Sequence, residues 1–255
     1  MSRINIKLSL AATALVILAG LPLAVPAADD DSVFVTANDT WSVEIVPYAW
    51  LPGAKGDLTI RNTNIGVDQD FNDIFKAVKF ASSALGIVRY NNWLIYTQLD
   101  YFSLSTSKLE NAPARGSLDL KDLLYTQGVG YRINGWSSGQ TFDILIGAQG
   151  LHADNKLSLY QFGSVSDSNN VVDAVLIFRP SFQLSQHWLL NPTISVGGGD
   201  SKYTYQLQPQ FQYQFNSMWE MRFGYRKLHY NINGARGNNL DVSLAGPLFG
   251  FGITF

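Results

Sequence analysis

Tyr203-Thr-Tyr-Gln-Leu-Gln-Pro-Gln-Phe-Gln-Tyr-Gln-Phe215 is the stretch on which the reading of the whole chain turns. Tyr203, Tyr205, Leu207, Pro209, Phe211, Tyr213 and Phe215 alternate with Thr204, Gln206, Gln208, Gln210, Gln212 and Gln214. Successive side chains of a strand point to opposite faces, so this is a ribbon with one aromatic and one amide face. A soluble sandwich strand also alternates, but its water face usually mixes in Lys, Glu and Thr. Five glutamines in alternate positions point instead to a confined, wet interior.

The same period of two extends outward along the chain. Trp219, Met221, Phe223 and Tyr225 oppose Glu220, Arg222, Gly224 and Arg226. Val172 to Leu184 sets apolar residues against a face carrying Asp173 and Arg179, and Trp188 to Val196 repeats the scheme. Noisier segments are Trp41 to Leu51 with Glu44 inward, Lys79 to Asn91, Trp93 to Ser105 with Asp100 inward, Ser117 to Ile133 with Asp122 and Arg132 inward, and Thr141 to Leu151 with Asp143 and Gln149 inward. The phase of Lys79 to Asn91 is ambiguous, and that of Ser117 to Ile133 switches near Lys121, as at a bulge. Leu240 to Phe255 completes ten strands. It ends in Phe249, Phe251, Ile253 and Phe255, with Leu240, Val242 and Leu244 in the other register before Gly246-Pro247. A phenylalanine-terminated alternating strand resembles the closing strand of bacterial outer-membrane barrels, which their assembly machinery recognises. That resemblance makes Phe251, Ile253 and Phe255 the expected assembly signal.

Composition agrees with a wall that meets lipid. Aromatic residues make up 13% and charged residues only 15%, against about a quarter charged in ordinary soluble domains. Arg3 and Lys7, the apolar run Leu8 to Gly20, and Val25-Pro26-Ala27 read as a cleavable secretory signal over 1–27, followed by a flexible segment 28–40 that holds Asp29-Asp30-Asp31. Removing Arg3 and Lys7 takes the 18 basic residues to 16 against 20 acidic ones, a balance that excludes nucleic acid as a partner. There is no cysteine, hence no disulfide and no thiolate metal site. Past the signal no apolar run approaches the ~20 residues of a spanning helix.

Loop lengths give the topology. Tight connections at Tyr90 to Asn92, Asn134 to Gln140, Ser185 to His187 and Asn216 to Ser217 alternate with longer ones at Pro52 to Val78, Lys108 to Gly116, Ala153 to Asn170 and Asn231 to Asn239; Gly199 to Lys202 is the short exception. Short periplasmic turns and long outside loops are the pattern of transmembrane barrels. Trp41, Trp93, Trp188 and Trp219 begin strands that run outward, and Phe142 sits in the fifth, as a periplasmic aromatic girdle requires. Spanning strands must close, because an open edge in hydrocarbon leaves backbone groups unpaired. The fold expected over 41–255 is therefore an all-β, closed antiparallel up-and-down transmembrane barrel of about ten strands, with eight or twelve as alternatives. Bulges or weakened pairing are expected at Pro180, Pro192 and Pro209. Asp57 to Ile60 and Thr63 to Val67 form a possible hairpin that would give twelve strands if it joined the wall. Phe71 to Val78 has helical spacing and is placed to cap or plug the lumen.

Trp41-Ser-Val-Glu-Ile-Val-Pro-Tyr-Ala-Trp-Leu-Pro-Gly53, the Asp57-Leu-Thr-Ile60 strand, Phe71-Asn-Asp-Ile-Phe75, Tyr225-Arg226 with Tyr230, and Leu244-Ala-Gly-Pro-Leu-Phe-Gly250 resemble a group of small, mostly uncharacterised proteobacterial outer-membrane barrel proteins. The resemblance spans the mature chain and implies location and architecture. It carries no catalytic residues.

Chemistry-bearing residues are few. His152 and Asp154 lie two apart near the outer end of a strand, roughly as in surface proteases of the omptin type, but no second carboxylate pair stands near them in sequence. His187 falls in a turn and His229 near the outer rim. Asp68-Gln-Asp70-Phe-Asn72 begins like a calcium loop, yet Asp73 stands where glycine is needed and Lys79 where the bidentate acid belongs. No metal or other cofactor is expected. The lumen set is Glu44, Asp143, Asp173, Arg179, Gln206, Gln208, Gln210, Gln212, Glu220, Arg222 and Arg226, read as a paired network, since barrels near eight strands are filled by side chains. The function expected is a non-enzymatic integral outer-membrane protein of structural or surface-interaction role with a narrow polar lumen; a narrow porin-like channel is the alternative and a barrel hydrolase the third reading. Its expected partners are outer-membrane lipid, lipopolysaccharide and the barrel-assembly machinery.

Overall fold

The computed structural model describes residues 41–60, 63–106, 116–135, 139–159, 163–233 and 239–255; the expected signal and the segment before Trp41 lie outside them. The elements are β1 (Trp41–Trp50), β2 (Gly53–Ile60), β3 (Thr63–Gln69), α1 (Phe71–Ala77), β4 (Val78–Tyr90), β5 (Trp93–Thr106), β6 (Gly116–Asn134), β7 (Gln140–Leu159), β8 (Gly163–Gln183), β9 (Trp188–Leu190), β10 (Thr193–Gly199), β11 (Tyr203–Gln208), β12 (Gln210–Gln214), β13 (Trp219–Asn233) and β14 (Asn239–Thr254). All strands belong to one antiparallel sheet, and β14 closes it by pairing with β13 on one side and β1 on the other.

Fourteen strands make only ten staves, because four of them continue others. β9 and β10 are one stave broken at Asn191-Pro192, and β11 and β12 are one stave broken at Pro209. Proline offers no ladder donor, so pairing lapses there, but Thr193 opposite Gln208 and Leu190 opposite Phe211 keep one register across both gaps. The bonds Asn191 N–H to Gln210 O (2.9 Å) and Tyr225 N–H to Pro209 O (3.0 Å) stitch the breaks. The weakened pairing expected at Pro192 and Pro209 is therefore found, without bulges, whereas β8 runs through Pro180 without interruption, opposite Phe142.

The 52–78 region corrects the twelve-strand alternative. β2 carries β1 onward along β14 past Leu51-Pro52, since Trp50 faces Leu248 and Gly53 faces Ala245 in the same register. β3 pairs with β2, and α1 then leads down into β4, which pairs with β1. The hairpin thus lengthens two staves and adds none. α1 packs against β2 and β5 with Phe75 exposed; it belongs to the rim of the wall and is not a plug.

No bulge occurs at Lys121 or at Gly246-Pro247: β6 keeps one register with β5 and β7, as β14 does with β13. A register shift occurs instead between Val78 and Phe80. The sequence changes phase at these points because the surroundings change while the backbone does not. Below them, outward residues are apolar and exposed, Ile146 at 68% and Trp93 at 58%, with Val196, Phe249 and Phe251 at similar levels. Above them the outward residues are Lys121, Asp154, Lys227 and Asp241. From Trp219 to Lys227 is nine residues, the length of a spanning strand. The loop expected over Ala153 to Asn170 is likewise ladder, for β7 and β8 stay paired out to Leu159 and Gly163. With water on the outer face, the hydrophobic alternation that betrays a strand is gone, although the hydrogen bonds continue.

At the other end the turns are short: Asn91-Asn92 joins β4 to β5, with Asn91 at φ 52°, and residues 215–218 join β12 to β13. Here Trp41 packs on Tyr90 (4.7 Å between rings), Trp93 on Tyr131 (5.3 Å) and Trp188 on Tyr213 (4.9 Å). Trp219 is exposed beside Ile253, while Phe142 and Trp188 are half-buried.

Candidate functional site: the barrel interior

The interior has three levels. At the short-turn end, Asp143 on β7 accepts hydrogen bonds from Arg132 (Nε to Oδ1 2.7 Å, Nη2 to Oδ2 3.0 Å), Arg89 (3.3 Å) and Arg179 (3.4 Å). Beside it Arg222 is ion-paired with Glu44 (2.5 Å) and donates to Glu220 (2.7 Å). Gln212 donates to Glu220 (2.5 Å), and Asn191 donates to Gln212. β14 makes room for this cluster with glycine at two inward positions: a Cβ on Gly252 would lie 2.6 Å from Glu220 Oε1, and one on Gly250 2.6 Å from Tyr48 Cβ. A cavity of about 130 Å³ remains, lined among others by Ser42, Arg89, Arg132, Asp143, Arg179 and Arg222.

At mid-height the lumen is crossed by side chains. Arg226 is 1% exposed and pairs with Asp100, 0% exposed, at 2.5 Å. Tyr48 donates to the same carboxylate (2.6 Å), Arg226 Nε donates to Gln206 (3.0 Å), and the guanidinium lies 4.3 Å above the Trp50 ring. Gln98 donates to Tyr48 (2.8 Å) and to Gln208 (3.1 Å), and accepts from Tyr96 (2.7 Å) and Gln206 (3.3 Å). Gln98 is on β5 and Gln208 on β11, five places apart in a ring of ten staves, so this bond runs across the diameter. Gln208 donates on to Gln210 (3.1 Å), completing an amide ladder along the β11–β12 stave. Gln98, Gln206 and Gln208 each donate to another's carbonyl, as buried amides tend to, while Gln210 ends the ladder with its Nε2 unpaired among the described residues.

The expectation of a uniformly polar lumen is corrected at the third level and along one wall. Val46, Leu85, Ile87, Leu94, Tyr96, Leu145, Val175 and Ile177 form a hydrophobic cluster facing the glutamines. Toward the outside, Trp50, Phe102, Leu124, Val171, Leu228, Tyr230 and Leu248 fill the interior, with Val242 and Leu244 against them. Asp173 shares the inward face but stands apart from the charged network; it accepts from the Ser201 amide (2.7 Å) and holds the β10–β11 turn.

Of the expected lumen residues, Glu44, Asp143, Arg179, Glu220, Arg222 and Gln212 meet in the lower cluster, and Arg226, Gln206, Gln208 and Gln210 meet above it. Sequence reasoning missed Arg89, Tyr48 and Gln98. The signal existed for Arg89, since Ser83, Leu85, Ile87 and Arg89 form one face of β4, but only pairing with β1 settles which face points inward. Tyr48 and Gln98 passed unnoticed because neutral side chains inside a wall look like any strand residue.

His152 and Asp154 point outward from β7, not into a cleft. His152 Nε2 is 3.4 Å from Asp154 and its Nδ1 is 2.5 Å from Asn170 Oδ1. On the neighbouring strand Asp122 faces inward just above the spanning part of β6. Burial pushes its carboxyl up to about 6, with Asp154 adding to the rise and His152 opposing it. His187 hydrogen-bonds the Gln214 carbonyl (2.8 Å), and His229 the Ser243 hydroxyl (3.0 Å). The calcium-like stretch is divided between β3 and α1, with Asp68 paired to Lys55.

Among solved structures, the outer-membrane protease OmpT of Escherichia coli superposes with a TM-score of 0.56 over 85% of this chain and 97% of its own, at 8% identity. The fold is that of the proteobacterial outer-membrane β-barrels. The outer-membrane β-barrel attachment invasion locus protein Ail of Yersinia pestis, solved with a heparin analogue, also matches, with a TM-score of 0.38, 11% identity and coverage of 84% and 98%. The translocator domain of autotransporter NalP of Neisseria meningitidis gives 0.42, 14%, 86% and 90%. No protein-family model and no curated protein matches the sequence. This outer-membrane β-barrel accordingly shares architecture, and not residues, with OmpT.

Proposed function

We propose that this outer-membrane β-barrel is a closed body of structural or surface-interaction role that holds an extended outer rim above the membrane. The observation that carries this reading is the diametric contact of Gln98 with Gln208 beside the Arg226–Asp100 pair, backed on the outer side by Trp50, Phe102 and Leu248. A buried ion pair with both carboxylate oxygens engaged, Oδ1 by Tyr48 and Oδ2 by Arg226, is costly to break, so the plug resists solutes. The outward Phe251 and Ile253 of β14 are offered to the barrel-assembly machinery, and the outward lysines above the apolar belt to lipopolysaccharide. Planar-bilayer recording of the refolded chain tests the reading: no stepwise conductance is expected in the parent protein, and discrete steps should appear in the Asp100→Ala/Arg226→Ala double variant. Stable steps in the parent protein would support the channel instead.

A further inference from the structure

We propose that the cavity at the short-turn end is a binding site for a small oxyanion of the phosphate class, entered from the periplasm. Its lining holds four guanidiniums, of Arg89, Arg132, Arg179 and Arg222, against three carboxylates, of Glu44, Asp143 and Glu220. The charges are not spread evenly. Arg222 lies between Glu44 and Glu220, so that side is covered. On the other side Arg89, Arg132 and Arg179 all converge on Asp143, and although Glu44 also acts on them, the lining as a whole holds one guanidinium more than it has carboxylates. Like charges brought together out of bulk water repel, and the arrangement is relieved by an added anion.

The donors to receive one are present. A guanidinium has five N–H groups in a planar fork that matches a multi-oxygen anion. Arg89 gives one hydrogen bond to protein, at 3.3 Å, and its Nε has no partner among the described residues. Arg222 Nη1 is also without a partner, although its side chain is only 3% exposed. A cavity of about 130 Å³ is close in size to one that takes up benzene, and so has room for a compact four-oxygen anion. Above the cavity, Arg226 with Asp100 and Gln98 with Gln208 close the path, so the site is a dead end. An anion would enter and leave past Ser42 and the Asn91-Asn92 turn. Among the described residues the lining is polar except for Pro180 and Leu189, which disfavours an acyl or aromatic ligand and suits a hydrated ion.

Isothermal titration of the refolded barrel in uncharged detergent at low ionic strength, with inorganic phosphate as the probe, tests this. Saturable single-site binding is expected in the parent protein and in Lys227→Gln, whose ammonium is on the outer wall. Arg89→Gln should weaken it at least tenfold, while Arg132 still holds Asp143. Ser42→Phe should weaken it equally by filling the mouth without removing charge, and it decides the matter if Arg89→Gln does not show the heat-modifiable mobility of a folded barrel. Absence of saturable binding in the parent protein, or undiminished binding in the folded variants, overturns the proposal. Bilayer conductance is a separate readout, so failure here leaves the closed-barrel reading standing.

Discussion

The two halves of this barrel obey opposite rules. In the lower half, glutamines and ion pairs face in beside one apolar wall that includes Leu85, Leu145 and Ile177, and the outward side chains are aromatic or aliphatic; in the outer half, Leu228, Tyr230, Val242 and Leu248 face in while Lys227 and Asp241 face out. β13 and β14 pass from one regime to the other without a change of register. Sidedness follows solvent: hydrocarbon cannot satisfy polar groups, so the lower wall sends them inward, whereas water outside lets the upper interior bury apolar area as a soluble core does. The lesson is that a change of hydrophobic phase along a membrane strand can mark the lipid boundary and need not mark a bulge.

The contrast can be broken in order of expected effect. Asp100→Ala leaves Arg226 charged and buried without its partner, and should cost about 3–5 kcal/mol in urea unfolding of the vesicle-inserted barrel. Leu228→Ala, in the outer-half core, should cost about 2–5 kcal/mol by the same measurement, as in any close-packed interior; a negligible loss would show that the outer half is not packed. Ile146→Arg places a charge on the lipid face at the most exposed apolar position and should cost about 2–4 kcal/mol, whereas Ser243→Arg, above the boundary on the outward face, should cost under about 1 kcal/mol. Equal costs for the two would erase the boundary.

Acid–base behaviour sharpens the comparison at the rim. Burial raises Asp122 from 3.8 to about 6, so the folded state holds its proton more tightly than the unfolded chain. Its stabilising contribution is then complete below about pH 4 and disappears as pH rises through 6. Unfolding midpoints of the parent protein between pH 4 and 7 should fall more steeply than those of Asp122→Asn, and parallel profiles would refute the assignment. The smallest effect is expected for Asp68→Ala: the Lys55–Asp68 pair is 73% and 77% exposed, worth at most about 1 kcal/mol.

Much of the wall was legible because period two is a local property. Tyr203 to Phe215 and Trp219 to Arg226 announce their faces without help, and the tight turns follow from where those runs stop. The interrupted staves were less legible, since Pro192 and Pro209 look like strand breakers until the partner strands are seen to carry the register across. The ladder from Ala153 to Asn170 was invisible for a different reason: Ser, Asn and Asp on both faces in water look like loop. In the site, charges on an established face were found, whereas Arg89 needed the β1 pairing and Tyr48 and Gln98 needed their partners.

The sequence by itself determined an antiparallel, lipid-facing wall of about ten staves, because alternation, turn length and the terminal aromatics are each written in neighbouring residues; that the 52–78 hairpin adds no further stave came from its pairing. Only the tertiary structure decided that the lumen is crossed at mid-height, that three arginines share Asp143, and that the outer interior is apolar. Those features depend on which residues meet across a ring after closure, over separations such as Asp100 to Arg226, and no local pattern encodes a distance of that kind.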